Sequence, residues 1–524
     1  MGKNHFWVVW FLLLLFNFSV AQEGVLDIDF GDQGTKRFAF ADKDTRGIQM
    51  LLLDDNTVIL AVISEIRVSG SIQNRGFYIY KITSDGHLDN GFGNNGSLYF
   101  PNNNRDASYF HSMLLQTDGK IVIMCTIEGD PKLVRISQNG EFDPTFGNNG
   151  IQALDVGYRI AQQSTGKIIV QSQYFDGYHN MYSFSRRNTD GSLDTSFGIN
   201  GTQNTDVTSY RFDLCFAIKI DDEDRILAAG PSYDYGDDYH PVITRFNENG
   251  TLDTSFGNNG TVITTFGPAS NLGEINDIAL FNDKIILGGN YQYQGGTGGF
   301  GGNKPAIIKL NNDGTLDHGF GRGGKVVFET YYGANDRLRS IAVQPDGKII
   351  LGGGASSPFP FEQSDFFIIK VKRNGNIHQE FGDNGIFITD FEGSNSNYVA
   401  DLALQSDNKI LAFGITKDSS NEFRNAIICR LKNEVLGVLD SNWKNEIQIY
   451  PNPFSDYIWV ESEIPIRTLS IYTVSGKLVK TQQYHKENKY ETKFELSQLP
   501  AGVYMVSIFF EGFKSVSKKV IKLF

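Results

Sequence analysis

Two short stretches concentrate the side chains that could do chemistry. Tyr174-Phe175-Asp176-Gly177-Tyr178-His179 and Tyr233-Asp234-Tyr235-Gly236-Asp237-Asp238-Tyr239-His240 interleave tyrosines with carboxylates, and each ends on histidine. A third stretch carries Tyr291 and Tyr293, followed by the glycine-rich run 295–302. Tyrosine rings can stack on sugars, and carboxylates beside them can accept hydrogen bonds or coordinate Ca²⁺ through oxygen. The plainer reading is a solvated loop whose aromatics pack on a rim. Asp237 and Asp238 are a weak candidate for the carboxylate pair of a glycoside hydrolase, since adjacent loop carboxylates also make ordinary solvated charge. The glycine run has neither a GxGxxG between strand and helix nor a closing Lys-Ser/Thr, so it reads as a loop and not a phosphate cradle.

Other chemistry is thinly represented. There is no HExxH, GxSxG or CxxC. Cys125, Cys215 and Cys429 fall in strands expected in different parts of the chain and read as small buried hydrophobes. Three cysteines in 524 residues exclude a disulfide scaffold. A net charge of −13 argues against a nucleic-acid partner held by phosphate contacts. No metal or cofactor is required by any motif; Ca²⁺ at the Tyr/Asp loops is the one ion considered.

The elements that must position these loops come from a repeat. Phe-Gly recurs at Phe30, Phe92, Phe146, Phe197, Phe256, Phe320 and Phe381, always with a second Gly three residues after the first. Three residues before each Phe stands Asp, except in the last copy, where it is His378. The unit is LDxxFGxxG, seven times. Between copies a short strand is followed by an apolar strand, a tight polar turn such as Asp118-Gly119 or Pro345-Asp346-Gly347, a second apolar strand and a third. The two Asp-Gly pairs suit two-residue hairpins with positive φ. Four strands per unit in seven units predict an all-β fold, a seven-bladed β-propeller of four-stranded blades over residues 22–436. A β-helix is the second choice, needing shorter coils. Each last strand carries a basic residue (Lys81, Arg135, Arg186, Arg245, Lys309, Lys370, Arg430), expected to clasp the motif Asp, as Arg245 with Asp253. The motif Phe is expected to plug the seam between blades. The repeat resembles the delta-sixty repeat family of bacterial secreted proteins, which implies a propeller-like architecture and no common chemistry. No tryptophan falls within it, so it does not resemble Asp-box, quinoprotein or tryptophan-aspartate propellers.

Strand alternation sorts the loops. The regular turns and motif loops exit on one face, and everything variable exits on the other, where the Tyr/Asp stretches lie and where repeat proteins bind. Two functions follow as expectations: a binding module for a glycan or protein, or an extracellular carbohydrate- or peptide-active enzyme on the same scaffold.

The ends read as addresses. Lys3, the apolar run Phe6–Phe16 and Ser19-Val20-Ala21 make a secretory signal over 1–21, cleaved between Ala21 and Gln22. No later apolar run reaches transmembrane length. Residues 22–436 carry −16 and residues 437–524 carry +2, which suggests two units with different jobs. After a linker at 437–446, residues 447–524 alternate as short strands, among them Ile458–Val460, Leu469–Tyr472 and Val503–Ile508, and predict a small Ig-like β-sandwich. Tyr450-Pro451-Asn452-Pro453, Gly476-Lys477-Leu478-Val479, Leu499-Pro500-Ala501-Gly502-Val503-Tyr504 and the basic end Lys518–Lys522 resemble the C-terminal sorting domain of type IX secretion substrates. The resemblance implies a Bacteroidetes-type Gram-negative cell, recognition by the outer-membrane translocon, and a secreted or outer-surface location. The mature chain is expected to be a monomer without a transmembrane segment.

Overall fold

The computed structural model describes residues 23–523 apart from 41, 69–70, 102–107, 234–238, 267–272, 294–301, 331–334, 357–363, 392–395, 418–422, 434–446, 474–477, 485–488 and 511–514. The signal segment with Ala21 and Gln22, the linker, Asp234, Tyr235, Asp237, Asp238, most of the glycine run, and Gly476 and Lys477 therefore lie outside the described residues. Every regular element described is a strand. The chain divides into two compact units, 1–434 and 435–524.

The first unit is propeller-like. Its strands fall into seven four-stranded antiparallel sets among the described residues. The innermost strands are Asp44–Leu52, Tyr109–Leu115, Arg159–Gln162, Ala217–Ile220, Gly273–Phe281, Arg337–Val343 and Tyr398–Leu404. Each neighbours the next and the last neighbours the first, so they ring an axis. Five sets are separate sheets. The third and fourth are joined by the two-residue strand Phe212–Asp213, which pairs with Asn180 on one side and with Ser232 and Tyr233 on the other. The second strand of each set is sandwiched by neighbouring sheets on both faces, which is why Ile168-Ile169-Val170 and Ile349-Ile350-Leu351 are apolar without alternation.

Sheet and sequence repeat are one strand out of phase. The short strand after each motif does not open its own sheet but completes the preceding one: Ser97–Phe100 pairs with Ser71–Ile82. The first such strand, Thr35–Phe38, has no preceding sheet and pairs with Arg424–Leu431 of the last set, Thr35 opposite Cys429 and Phe38 opposite Ala426. The tight turns also differ from expectation. Gln116 N donates to Lys120 O and Gly119 N to Gln116 O, and only the glycine has positive φ. These are three-residue loops with a left-handed glycine, and Pro345-Asp346-Gly347 is built alike.

All seven motif phenylalanines are fully buried. Phe30, Phe92, Phe146, Phe197 and Phe256 each lie against the turn glycine of the following repeat: Gly86, Gly140, Gly191, Gly250 and Gly314. The basic residue of the third strand rivets the same seam. Arg186 Nε donates to Asp194 Oδ2 at 2.7 Å, its Nη1 to Glu248 O of the next repeat at 3.1 Å, and its guanidinium lies 5.0 Å from the Phe197 ring centre. Arg135–Asp143 and Arg245–Asp253 repeat the pair at 2.8 and 2.7 Å, and the lysine pairs Lys81–Asp89 and Lys309–Asp317 are longer, 3.3 and 3.5 Å. Arg430 pairs with Asp27 at 2.8 Å, joining the last strand to the first motif.

The seventh seam lacks both an Asp and a following repeat, and the start of the described chain supplies the missing parts. In six repeats the motif Phe-Gly glycine donates its N–H to the residue before the next turn glycine, as Gly31 does to Asp85 O at 2.7 Å and Gly321 to Asn374 O at 2.7 Å. In the seventh, Gly382 N donates to Glu23 O at 3.0 Å. Gly24 takes the turn glycine's place, with φ +69° against Phe381. The Glu23 carboxylate receives Lys370 Nζ at 2.7 Å.

The second unit packs its strands around Phe454, Val460, Leu469, Phe494, Val506 and Val520. Ile458–Val460 and Leu469–Tyr472 are parts of one strand, Tyr457–Thr473, and not two. It pairs with Ile447–Tyr450 and Lys489–Glu495 in its first part and with Leu478–Gln483 and Gly502–Phe510 in its second; the change of partners is what separates the two apolar patches in sequence.

Candidate functional site

The structure brings the first two Tyr/Asp stretches together through a segment that sequence reading passed over. Asp176 closes the first loop: its Oδ1 accepts Tyr178 N at 2.7 Å and His179 N at 2.6 Å, and these N–H groups hold its carboxyl below the ordinary aspartate range. Tyr178 stands 60% exposed, edge-on to His179 at 4.6 Å. The Arg211 guanidinium lies 4.8 Å over the Tyr178 ring and 5.7 Å from Phe212. Phe212 stacks on Tyr233 at 5.0 Å, and Tyr233 meets Tyr239 at 4.5 Å. Beside them Tyr210 stacks on His240 at 4.7 Å. The result is a strip Tyr178–Arg211–Phe212–Tyr233–Tyr239 running from the third set to the fourth, with Tyr174 and Phe175 exposed at its margin.

The strip rests on Asp213, which is fully buried. Its carboxylate accepts Val207 N at 3.1 Å, Thr208 Oγ1 at 2.7 Å and Ser232 Oγ at 2.6 Å, pinning segment 207–213 to the neighbouring strand. Burial pushes this carboxyl up to about 6 against those donors. Asp213 was legible only as one acid among many, since its partners are a loop and a strand rather than a motif. Tyr291 and Tyr293 stand in the fifth set, Tyr291 packed against the core there and Tyr293 with the Lys304 ammonium 5.0 Å from its ring centre. Cys215 lies not in a strand but in the link between Phe212–Asp213 and Ala217–Ile220; Cys125 and Cys429 are buried in strands. Burial pushes the Cys215 thiol up to about 12, so no reactive thiolate stands near the strip. Among the described residues no group of three or more His, Cys, Asp or Glu stands where it could hold a metal ion.

A second polar set lines the axis and was also missed. Five inner strands carry a bulge, after which come Gln49, Ser112, Asp277, Ser340 and Asp401. Three of these reach the next set's backbone. Gln49 exchanges hydrogen bonds with Met113 N and O at 2.9 Å, Asp277 accepts Ile341 N at 2.9 Å, and Asp401 accepts Met50 N at 2.8 Å. Ser340 Oγ bridges the two carboxylates at 3.2 and 3.3 Å. Burial, with Asp277 adding repulsion, pushes Asp401 up to about 7. The sequence signal available was a lone polar residue at a repeated place in an apolar inner strand.

In the second unit the sorting-motif residues are tied to one another. Asn452 donates through Nδ2 to Lys519 O at 3.0 Å and accepts Ile521 N at 3.0 Å, so Pro451-Asn452-Pro453 is laced to the basic last strand. Tyr450 donates to Glu491 at 3.2 Å, and Tyr504 donates to Pro500 O at 2.8 Å beside Gly502.

Comparison with known proteins separates the two units in the same way. Residues 448–522 match the secretion system C-terminal sorting domain. The protein is secreted or held at the outer cell surface. Residues 116–146, 224–256, 282–320 and 344–381 match a β-propeller domain of unknown function, DUF5122. No curated protein matches the chain in sequence. Similar solved structures include Drosophila Semaphorin 2a (7% identity, 94% of this chain and 97% of that one, TM-score 0.44). Others are the polysaccharide lyase Uly1 (8%, 74% and 90%, 0.42) and the α-L-arabinofuranosidase of Fusarium graminearum (10%, 62% and 92%, 0.37). None is similar enough to lend the chain a function.

Proposed function

We propose that this chain is a seven-bladed propeller of delta-sixty repeats, delivered by the type IX translocon through an Ig-like sorting domain, whose variable face binds a polysaccharide outside the cell. The observation that carries this is the strip Tyr178–Arg211–Phe212–Tyr233–Tyr239. Tyr178, exposed and backed by Arg211, offers a stacking face to a sugar, and the half-buried Phe212, Tyr233 and Tyr239 extend the aromatic surface beside it without needing to close around a ligand. The closed ring of inner strands supports the blade count.

The test is binding of the mature chain to a panel of polysaccharides by affinity electrophoresis. Retardation by at least one polymer is expected, and Tyr178→Ala with Tyr233→Ala should weaken it by about tenfold or more while the melting temperature stays within a few degrees. Equal retardation of wild type and double variant removes the strip as the site. Release of reducing ends from the retarding polymer would move the assignment to an enzyme.

A further inference from the structure

The inner strands of the second and third sets begin with a group that the strip does not use. Tyr109 and Tyr158 are 37% and 43% exposed. Between them stands His111, its ring centre 6.4 Å from that of Tyr109 and 5.8 Å, edge-on, from that of Tyr158. His111 Nε2 is 2.8 Å from Thr126 Oγ1. Burial and the adjacent Arg159 hold its imidazole down at about 4, so it is neutral in ordinary media. Arg75 lies 4.8 Å over the Tyr109 ring. All of these sit where inner strands begin or third strands start, on the same face as the strip.

The charge count at this place runs against the molecule. Glu65 is fully buried and serves two arginines at once, Arg46 and Arg75, the latter at 2.6 Å. Arg159 meets main-chain carbonyls, Phe216 O at 2.9 Å and His111 O at 3.3 Å, and no carboxylate lies within ion-pair distance of it among the described residues. Glu65 thus serves two guanidinium groups, and the third, Arg159, feels only the Asp277 carboxylate from beyond ion-pair distance, in a chain whose net charge is −13. A guanidinium with no carboxylate in contact, beside two exposed rings, has the two things an acidic sugar asks for: a planar fork for the carboxylate and faces for the ring.

We propose that this mouth of the axis, built from Tyr109, His111, Tyr158, Arg75 and Arg159, is a subsite for the acidic sugar of a polyuronate. This rests on the polysaccharide reading above and names the class of polymer. The uronate carboxylate pairs with Arg159, the sugar ring lies between the two tyrosines, and neutral His111 hydrogen-bonds a hydroxyl.

Calorimetric titration of the mature chain with a galacturonate oligomer and with its fully methyl-esterified counterpart tests this, since esterification removes each charge and adds one methyl group. The acid form should bind about tenfold or more tightly, the worth of one charge-assisted hydrogen bond. Arg159→Gln should erase that preference and leave ester binding in place. Tyr158→Ala, at an exposed position, should weaken both forms and serves if Arg159→Gln does not fold. Free sulfate should not displace the oligomer; displacement would show a bare anion site in place of a sugar site and overturn the proposal. Equal affinity for acid and ester, or a preference kept in Arg159→Gln, overturns the proposal and leaves the polysaccharide reading standing. Binding of neither form to the mouth, with other polymers still bound, rejects the polyuronate class; binding of no polymer at all rejects both.

Discussion

Arg245 shows what one residue does for the ring. Its guanidinium holds Asp253 at 2.7 Å, reaches the Asn312 carbonyl of the next repeat and covers the Phe256 ring. Arg245, Asp253 and Phe256 are all buried, so removing one partner of the ion pair strands the other. Arg245→Met is expected to cost about 3–5 kcal/mol of unfolding free energy, and Arg245→Met with Asp253→Leu to recover part of it. Chemical denaturation reads both; a loss below about 1 kcal/mol would assign the pair to the solvated class. This pair was legible because basic residue and Asp stand eight apart in five copies. Asp401 was not, because its partners come from Met50 and Asp277 in neighbouring sheets. The two kinds of aspartate also work against each other in pH. Asp401 is raised to about 7, so it favours folding in its protonated form, and that contribution fades as pH rises through 7. For Asp143 and Asp194 burial opposes ionisation, but hydroxyl, N–H, Lys and Arg partners outweigh it and hold both low. Their contribution is lost as pH falls below about 4. Thermal melts should therefore peak in mildly acidic buffer, and Asp401→Asn should flatten the alkaline limb while leaving the acid limb as it was.

At the scale of elements, the ring is closed by imitation. Thr35–Phe38 takes the outer place in the last sheet, and Glu23-Gly24 takes the place of a turn that an eighth repeat would have supplied. Lys370 is wholly buried, so the charge it meets at Glu23 matters more than a surface ion pair would. Glu23→Gln is expected to destabilise the first unit by about 2 kcal/mol. Glu380→Gln, at a carboxylate 71% exposed near the same His378, should change stability by less than about 0.5 kcal/mol. Equal effects would mean that Glu23 is not a lock. Gly24→Ala adds a second check, because a Cβ there would come within 2.4 Å of Gly382 N at positive φ. The all-β, propeller-like recurrence of four-stranded sets was readable from the LDxxFGxxG spacing. Their phase was not, because a strand's own sequence says that it is half-buried and short but not which neighbour it joins. The turns were misread for a related reason: Asp-Gly marks a left-handed glycine in two hairpin types, and only the closing hydrogen bonds choose between them. The strip was half legible. Its tyrosines stood out, while Arg211 and Phe212 looked like any link until Asp213 folded them between the two loops.

At the scale of the whole molecule, each unit is built from its own residues. Residues 1–434 and 435–524 each hold their own core, and their charges differ in sign, −16 for 22–436 against +2 for 437–524. A unit whose strands, seams and closure are all made from its own residues does not need the other in order to fold. The matching of 448–522 to a sorting domain gives the second unit a task of its own. Ending the chain at Glu434 should accordingly leave the melting temperature of the propeller-like unit unchanged, while abolishing its arrival outside the cell. Joining 435–524 to an unrelated folded reporter with a signal peptide should send that reporter out. Fractionation and protease shaving of intact cells read both halves of the experiment. A truncated chain that still reaches the surface would place the export signal in the repeats, and a reporter retained in the envelope would mean that the second unit needs the first to be recognised. Loss of export with loss of the melt would instead show a folding defect and leave the division of labour disproved. Retention of the melt with loss of export is the outcome that two self-contained cores require.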